Sequence, residues 1–297
     1  MEQLLQQVIN GISLGSIYAL IALGYTMVYG IIKLINFAHC DVYMIGAYVG
    51  YFCMTALKLG LLPSLLIAMA VCMVLGVFVE KIAYKPLRNA TRIAVLITAI
   101  GVSLFIEYGT MFVVKAKVRT YPEMTGIMTQ TFHLGKSGGI TVSMQQVLIL
   151  VVTVILMILL QFIVKKTRIG KAMRAVSLDQ DAAELMGISV DTTISFTFAL
   201  GSALAGAAGV MVGLYYNTIN PLMGVVPGLK AFIAAVFGGI GIIPGAMIGG
   251  YFIGAVEVFV SGYLNSMYRD AVVFAILILI LIIKPAGLLG KNIREKV

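Results

Sequence analysis

Three ionisable side chains lie inside long apolar runs. Glu107 sits in VSLFIEYGTMF, Glu257 in IGAVEVFV and Lys230 in VVPGLKAFIAA. A charge at such depth is costly in hydrocarbon and normally faces a bundle interior or a wet cavity. Ser103, Glu107 and Thr110 recur at helical spacing, so one helix would present them as a polar stripe. Two roles fit these groups. They could form buried structural pairs, with Lys230 as a partner, or they could line a path for a polar solute. A second set interrupts the apolar stretch LINFAHCDVYMIGAY (34–48), where Asn36, His39 and Asp41 fall close together. Irregular backbone at membrane depth survives only where protein or a water cavity satisfies it. Broken helices around a central site are a recurring transporter device. A tight surface turn is the alternative for this stretch. The candidate path residues are therefore Asn36, His39, Asp41, Glu107 and Glu257.

Catalysis and metal binding find no support. His39 and His133 lack ligand spacing, and neither G-x-S-x-G nor H-E-x-x-H occurs. The phosphate-cradling G-x-x-x-x-G-K-[ST] is also missing, so any ATP hydrolysis must come from another subunit. The expectation is no catalytic residue, no metal and no cofactor. Cys40, Cys53 and Cys72 lie in apolar sequence without C-x-x-C spacing and read as small buried hydrophobes.

The elements that position these residues are membrane helices. Of the 297 residues, 61% are hydrophobic and 11% charged, an excess that lipid explains and a globular surface does not. A span needs roughly 20 apolar residues. Candidates lie near 12–32, 41–57, 63–79, 93–114, 145–164, 190–215, 242–262 and 271–283, with a shorter one at 227–240. The chain is expected to be all-α and polytopic, a single integral-membrane domain over 1–297. It would have eight or nine transmembrane helices, some broken or re-entrant. The Gly- and Pro-rich VFGGIGIIPGAMIGG (236–250) suits a turn or a close-packed re-entry.

The net charge of +9 resides in short loops, so it points to anionic lipid and not to nucleic acid. Loop 80–92 holds Lys81, Lys85, Arg88 and Arg92; loop 165–189 holds Lys165, Lys166, Arg168, Lys171 and Arg174; the tail holds Lys284, Lys291, Arg294 and Lys296. All three are expected on the cytoplasmic side. Parity then requires 227–240 to cross, which places the N-terminus outside. No cleavable signal peptide is evident, because the first ten residues lack Lys and Arg. Loop 165–189 also contains Asp181, Ala182, Ala183, Glu184, Leu185, Met186 and Gly187, the pattern of a short helix stopped by Gly with an apolar tip. It could dock a partner or lie on lipid headgroups.

These segments resemble the permease subunits of bacterial branched-chain amino-acid ABC importers, and most closely the H-type subunits of the high-affinity leucine/isoleucine/valine systems. The resemblance rests on GISLGSIYALIALGYTMVYGII (11–32), INFAHCDVYMIGAY (35–48), EKIAYKPLRNATR (80–92), RIGKAMRAVSLDQDAAELMGIS (168–189), INPLMGVVPGLKAFIAAVFGGIG (219–241), IPGAMIGG (243–250) and KPAGLLG (284–290). It implies a permease in the bacterial inner membrane working with a second related permease, two cytoplasmic ATPases and a periplasmic binding protein. It also implies that 168–189 is the segment that couples to an ATPase. Cys40 stands where the family pattern has Gly, and Ile242 where it has Ser. Loop 115–144 matches least. A urea or short-amide permease of the same superfamily, and a self-sufficient secondary transporter, are the rival readings.

Overall fold

A computed structural model describes residues 2–88, 90–122, 130–134 and 139–290. Lys291, Arg294 and Lys296 of the basic tail lie outside them. Helices α1 (Glu2–Ile32) and α8 (Val190–Tyr216) form the centre, with 83% and 94% of their apolar windows buried. Helix α10 (Ile243–Tyr263) packs along α1, while α2 (His39–Thr55) and α3 (Leu61–Val79) pack along α8. The rim consists of α4 (Arg92–Val114), α5 (Met144–Lys166) and α11 (Arg269–Ile283). Only 6% of the apolar window of α11 is buried, as expected of a helix that faces lipid on most sides.

Close approach explains the central pairings. Hydrophobic driving force is weak between helices in lipid, so contact depends on packing between small residues. A side chain on Gly46 would strike the backbone of Gly206, and one on Gly254 would strike Gly15. The small-residue faces at Gly11/Gly15, Gly46/Gly50, Ser202/Gly206/Gly209/Gly213 and Gly250/Gly254 are thus mostly helix-crossing points. Two of these glycines also make room for Tyr121. Its ring fills the space beside Gly50 and Gly213, and its Oη donates to Ala47 O at 3.1 Å.

Among the described residues, seven helices are long and apolar enough to cross a membrane, α11 being counted with the short helical turn from Ser266 that precedes it. The other two of the nine apolar stretches are α2, with 17 residues, and α9 (Val225–Gly238), with 14. Helix α2 begins inside the bundle. After α1 the chain turns at Lys33, with φ of 54°, and runs back inward through 34–38. His39 then packs on Gly24 and Tyr25, roughly 12 Å up α1 from Ile32 at 1.5 Å per residue. The stretch 34–48 is therefore a buried re-entry and not a surface turn. The stretch 236–250 is a tight turn between α9 and α10, with φ of 106° at Gly239 and 92° at Gly241, and with Gly238 against Gly245.

Polar elements separate the two ends of the bundle. At one end α1 starts beside Thr141 and Gln146, which join it through Gln6 and Asn10. Two small antiparallel pairs lie at this end and add strand to the expected all-α chain. They are β1 (Arg119–Thr120) with β4 (Thr218–Ile219), and β2 (Thr131–Leu134) with β3 (Ile140–Ser143). At the other end lie the 80–88 segment, the helices α6 (Arg168–Leu178) and α7 (Gln180–Leu185), and the described tail to Gly290. The basic loops therefore share one end, because α9 carries the chain back from Ile219 to Gly238.

Candidate functional site

The N-terminal ends of α2 and α9 meet inside the bundle. Cys40 Sγ lies 2.6 Å from Tyr25 Oη, and Gly224 and Gly228 leave room for Cys40. Cysteine at this bend is thus accommodated by two glycines across from it. Asn36 accepts a 2.8 Å hydrogen bond from Tyr84 Oη. His39 packs edge-on to Tyr25 at 4.8 Å between centroids, and its Nε2 has no hydrogen-bond partner among the described residues. Asp41 is buried in the first turn of α2 and accepts from Ser103 Oγ at 2.5 Å. Glu107, one turn beyond Ser103 along α4, is 7% exposed. Neither acid has a salt bridge among the described residues. The stripe Ser103–Glu107–Thr110 faces inward as its spacing indicates, yet Lys230 does not pair with it.

Lys230 pairs instead with Glu257, 2.7 Å away on α10, and with Asp270, 2.6 Å away on α11. The second oxygen of Glu257 accepts from Tyr18 Oη at 2.7 Å. Arg269 Nε stands 3.8 Å from Glu257. Of the five sequence candidates, Asn36, His39, Asp41 and Glu107 therefore gather around the start of α2, while Glu257 belongs to a separate node. Beside Glu257 lies an open cavity of about 310 Å³, lined by Asn10, Leu14, Tyr215, Val258 and Arg269 among others. A neighbouring cavity of about 290 Å³ shares Asn10 and Tyr215. No cluster of metal-ligating side chains occurs among the described residues.

At the opposite end, two capped helices form a knob. Thr167 caps α6 and Asp179 caps α7, each accepting from a backbone N–H three residues on. Gly187 ends α7 with φ of 82°, a left-handed conformation in which a side chain is strained. The expected single short helix is thus the second of a pair. Arg174 donates to Val164 O, and Gln180 reaches Ile31 O, so the knob is tied to α5 and α1. Leu185 and Met186 are 89% and 81% exposed, Ala182, Glu184 and Gly187 are also exposed, and Ala183 packs inward. Leu178, at the end of α6, is also 89% exposed and escaped the sequence reading because it ends a different helix. Beside the knob, Arg88 bridges Glu80 and Asp191, Lys85 lies 2.6 Å from Asp191, and Ser195 donates to Glu80 at 2.6 Å. Charges at span ends carry little signal in sequence, so this lock was also missed.

A family model described as the permease component of branched-chain amino acid transport systems matches residues 7–281. Over 99% of the chain, it is 43% identical to the high-affinity branched-chain amino acid transport system permease protein BraD of Pseudomonas aeruginosa, covering 98% of that protein. It is 42% identical to LivH of Escherichia coli, covering 99% of this chain and 97% of the relative. A probable branched-chain amino acid permease of Methanocaldococcus jannaschii is 31% identical over 93% of this chain and 89% of its own. No solved structure matches the chain.

Proposed function

The chain belongs to the family of permease components of branched-chain amino acid transport systems, and from that premise we propose that it is the membrane-spanning subunit of an ATP-driven importer for leucine, isoleucine and valine. The observation that carries the reading is near-full-length identity of 43% to a permease described by that transport activity. One permease domain over residues 1–297 sits in the bacterial inner membrane. The seven long helices, with α2 as an eighth and α9 as a ninth that starts within the bilayer, form the span set. The end bearing the knob is cytoplasmic, by its Lys and Arg content, and the N-terminus is outside.

The partners are a second homologous permease, two cytoplasmic ATPases and a periplasmic substrate-binding protein, with lipid around the rim. Asn36, His39, Asp41, Glu107 and Glu257 supply polar groups along the translocation path. Segment 182–187 docks on an ATPase. Its exposed apolar tip, its two side-chain caps and its ties to α1 and α5 support a rigid contact that transmits motion into the bundle. Truncating such an anchor costs on the order of 1–3 kcal/mol of binding.

Two measurements test this reading. A strain lacking the chain should lose high-affinity uptake of labelled leucine and regain it with the wild-type copy; unchanged uptake in the deletion strain contradicts it. A Leu185→Ala/Met186→Ala variant should insert normally but co-purify poorly with the ATPases. Wild-type co-purification and uptake would show that the knob is not the docking contact.

A further inference from the structure

We propose that the 310 Å³ cavity between α1, α8, α10 and the start of α11 is a low-affinity site for one aliphatic amino acid, held as a zwitterion between Arg269 and Glu257. The proposal rests on the importer reading and adds to it a site built within a single subunit. The cavity opens at the outer end of the bundle, where α1 begins and α8 ends. Its volume is at the low end of the roughly 300–1,000 Å³ of small-molecule sites, so it suits one small solute.

Charge bookkeeping selects the ligand class. Lys230, Arg269, Glu257 and Asp270 sum to zero formal charge. Lys230 is held tightly, at 2.6–2.7 Å from its two acids, whereas Arg269 is engaged only through Nε, at 3.4 Å from Asp270 and 3.8 Å from Glu257. The terminal nitrogens of Arg269 donate to no group among the described residues. A guanidinium fork matches a carboxylate in bidentate geometry. Each Glu257 oxygen already accepts one bond, from Lys230 or from Tyr18, and retains a second lone pair. A ligand with one carboxylate and one ammonium can therefore bridge Arg269 and Glu257 from the cavity they both line and leave the node neutral. A ligand of net charge would place an uncompensated charge beside buried groups, at a large penalty. Leu14 and Val258 give the cavity an apolar wall that an aliphatic side chain can cover.

A phosphatidylethanolamine headgroup is also a zwitterion, so the test must separate the two sources. The full chain in nanodiscs is reacted with a thiol-specific methanethiosulfonate through Ser261→Cys, with Gln7→Cys as a second reporter; both positions line the cavity. The native Cys40, Cys53 and Cys72 are buried and give a quiet background. L-Leucine should slow modification several-fold. Leucinamide and isocaproate, each lacking one of the charges, should not. Arg269→Gln should abolish the protection and Arg269→Lys should restore part of it. The proposal is overturned if isocaproate protects as well as leucine, if glycerophosphoethanolamine protects and leucine does not, or if Arg269→Gln keeps full protection. Leucine uptake by the assembled transporter separates the two readings. Wild-type uptake without protection removes this site alone, while absent uptake strikes the importer reading itself.

Discussion

The node at Lys230 holds two acids and two strong bases, whereas the node at Asp41 holds two acids and, among the described residues, no Lys or Arg paired with them. In the first, ion pairs join α9, α10 and α11, and Tyr18 adds α1. In the second, Asp41 has Ser103 and two helix N-termini, its own at His39 and that of α9 at Gly224. The positive end of a helix dipole favours a carboxylate without any basic side chain. The contrast shows two ways of keeping an acid inside a membrane bundle. One cross-links helices through Lys230 and depends on that one cation. The other holds its acid with a hydroxyl and two helix N-termini instead of a cation.

Lys230→Met gives the largest expected effect. It strands Glu257 beside Asp270, and breaking a buried pair in this way costs about 3–5 kcal/mol. Membrane yield and the thermal midpoint in detergent should both fall sharply. An unchanged midpoint would mean that the node is wetter than its burial indicates. Tyr18→Phe removes one hydrogen bond to a charged acceptor, worth about 1.5–3 kcal/mol. It should lower the midpoint by a clearly smaller amount, measured in the same assay. Arg269→Gln, at a half-exposed position, should change stability by about 0–1 kcal/mol. Its midpoint should stay near wild type even as the cavity loses its guanidinium.

The node at Asp41 should lose less stability and more transport. Asp41→Asn orphans no cation, so stability should change by no more than about 1 kcal/mol while uptake falls. Glu107→Leu should impair transport or assembly, with Glu107→Gln milder. Full uptake and expression with Glu107→Leu would make Glu107 a lipid-facing residue and erase the comparison.

Much of this was legible in sequence. Glu107, Glu257 and Lys230 stood out because charge inside apolar runs is rare, and Asn36, His39 and Asp41 marked the broken start of α2. The pairing was not legible, since which helices touch depends on glycine crossings far apart in the chain, such as Gly46 with Gly206. Arg269 and Asp270 were missed because charges near a span end are inexpensive and therefore common. Tyr18, Tyr25 and Tyr84 were missed because tyrosine in an apolar run reads as a hydrophobe until its hydroxyl partner is known. The half-length α9 read as a possible span, since composition alone does not reveal where in the bilayer a helix begins.

The most direct test is reconstitution. The chain, the proposed second permease and the proposed ATPases are placed in proteoliposomes, and labelled leucine accumulation is followed with the binding protein present. The account predicts accumulation that requires ATP and both the ATPases and the binding protein, and no ATP hydrolysis by the chain alone. Leucine flux through the chain without ATPases, or robust hydrolysis by the isolated chain, would contradict it.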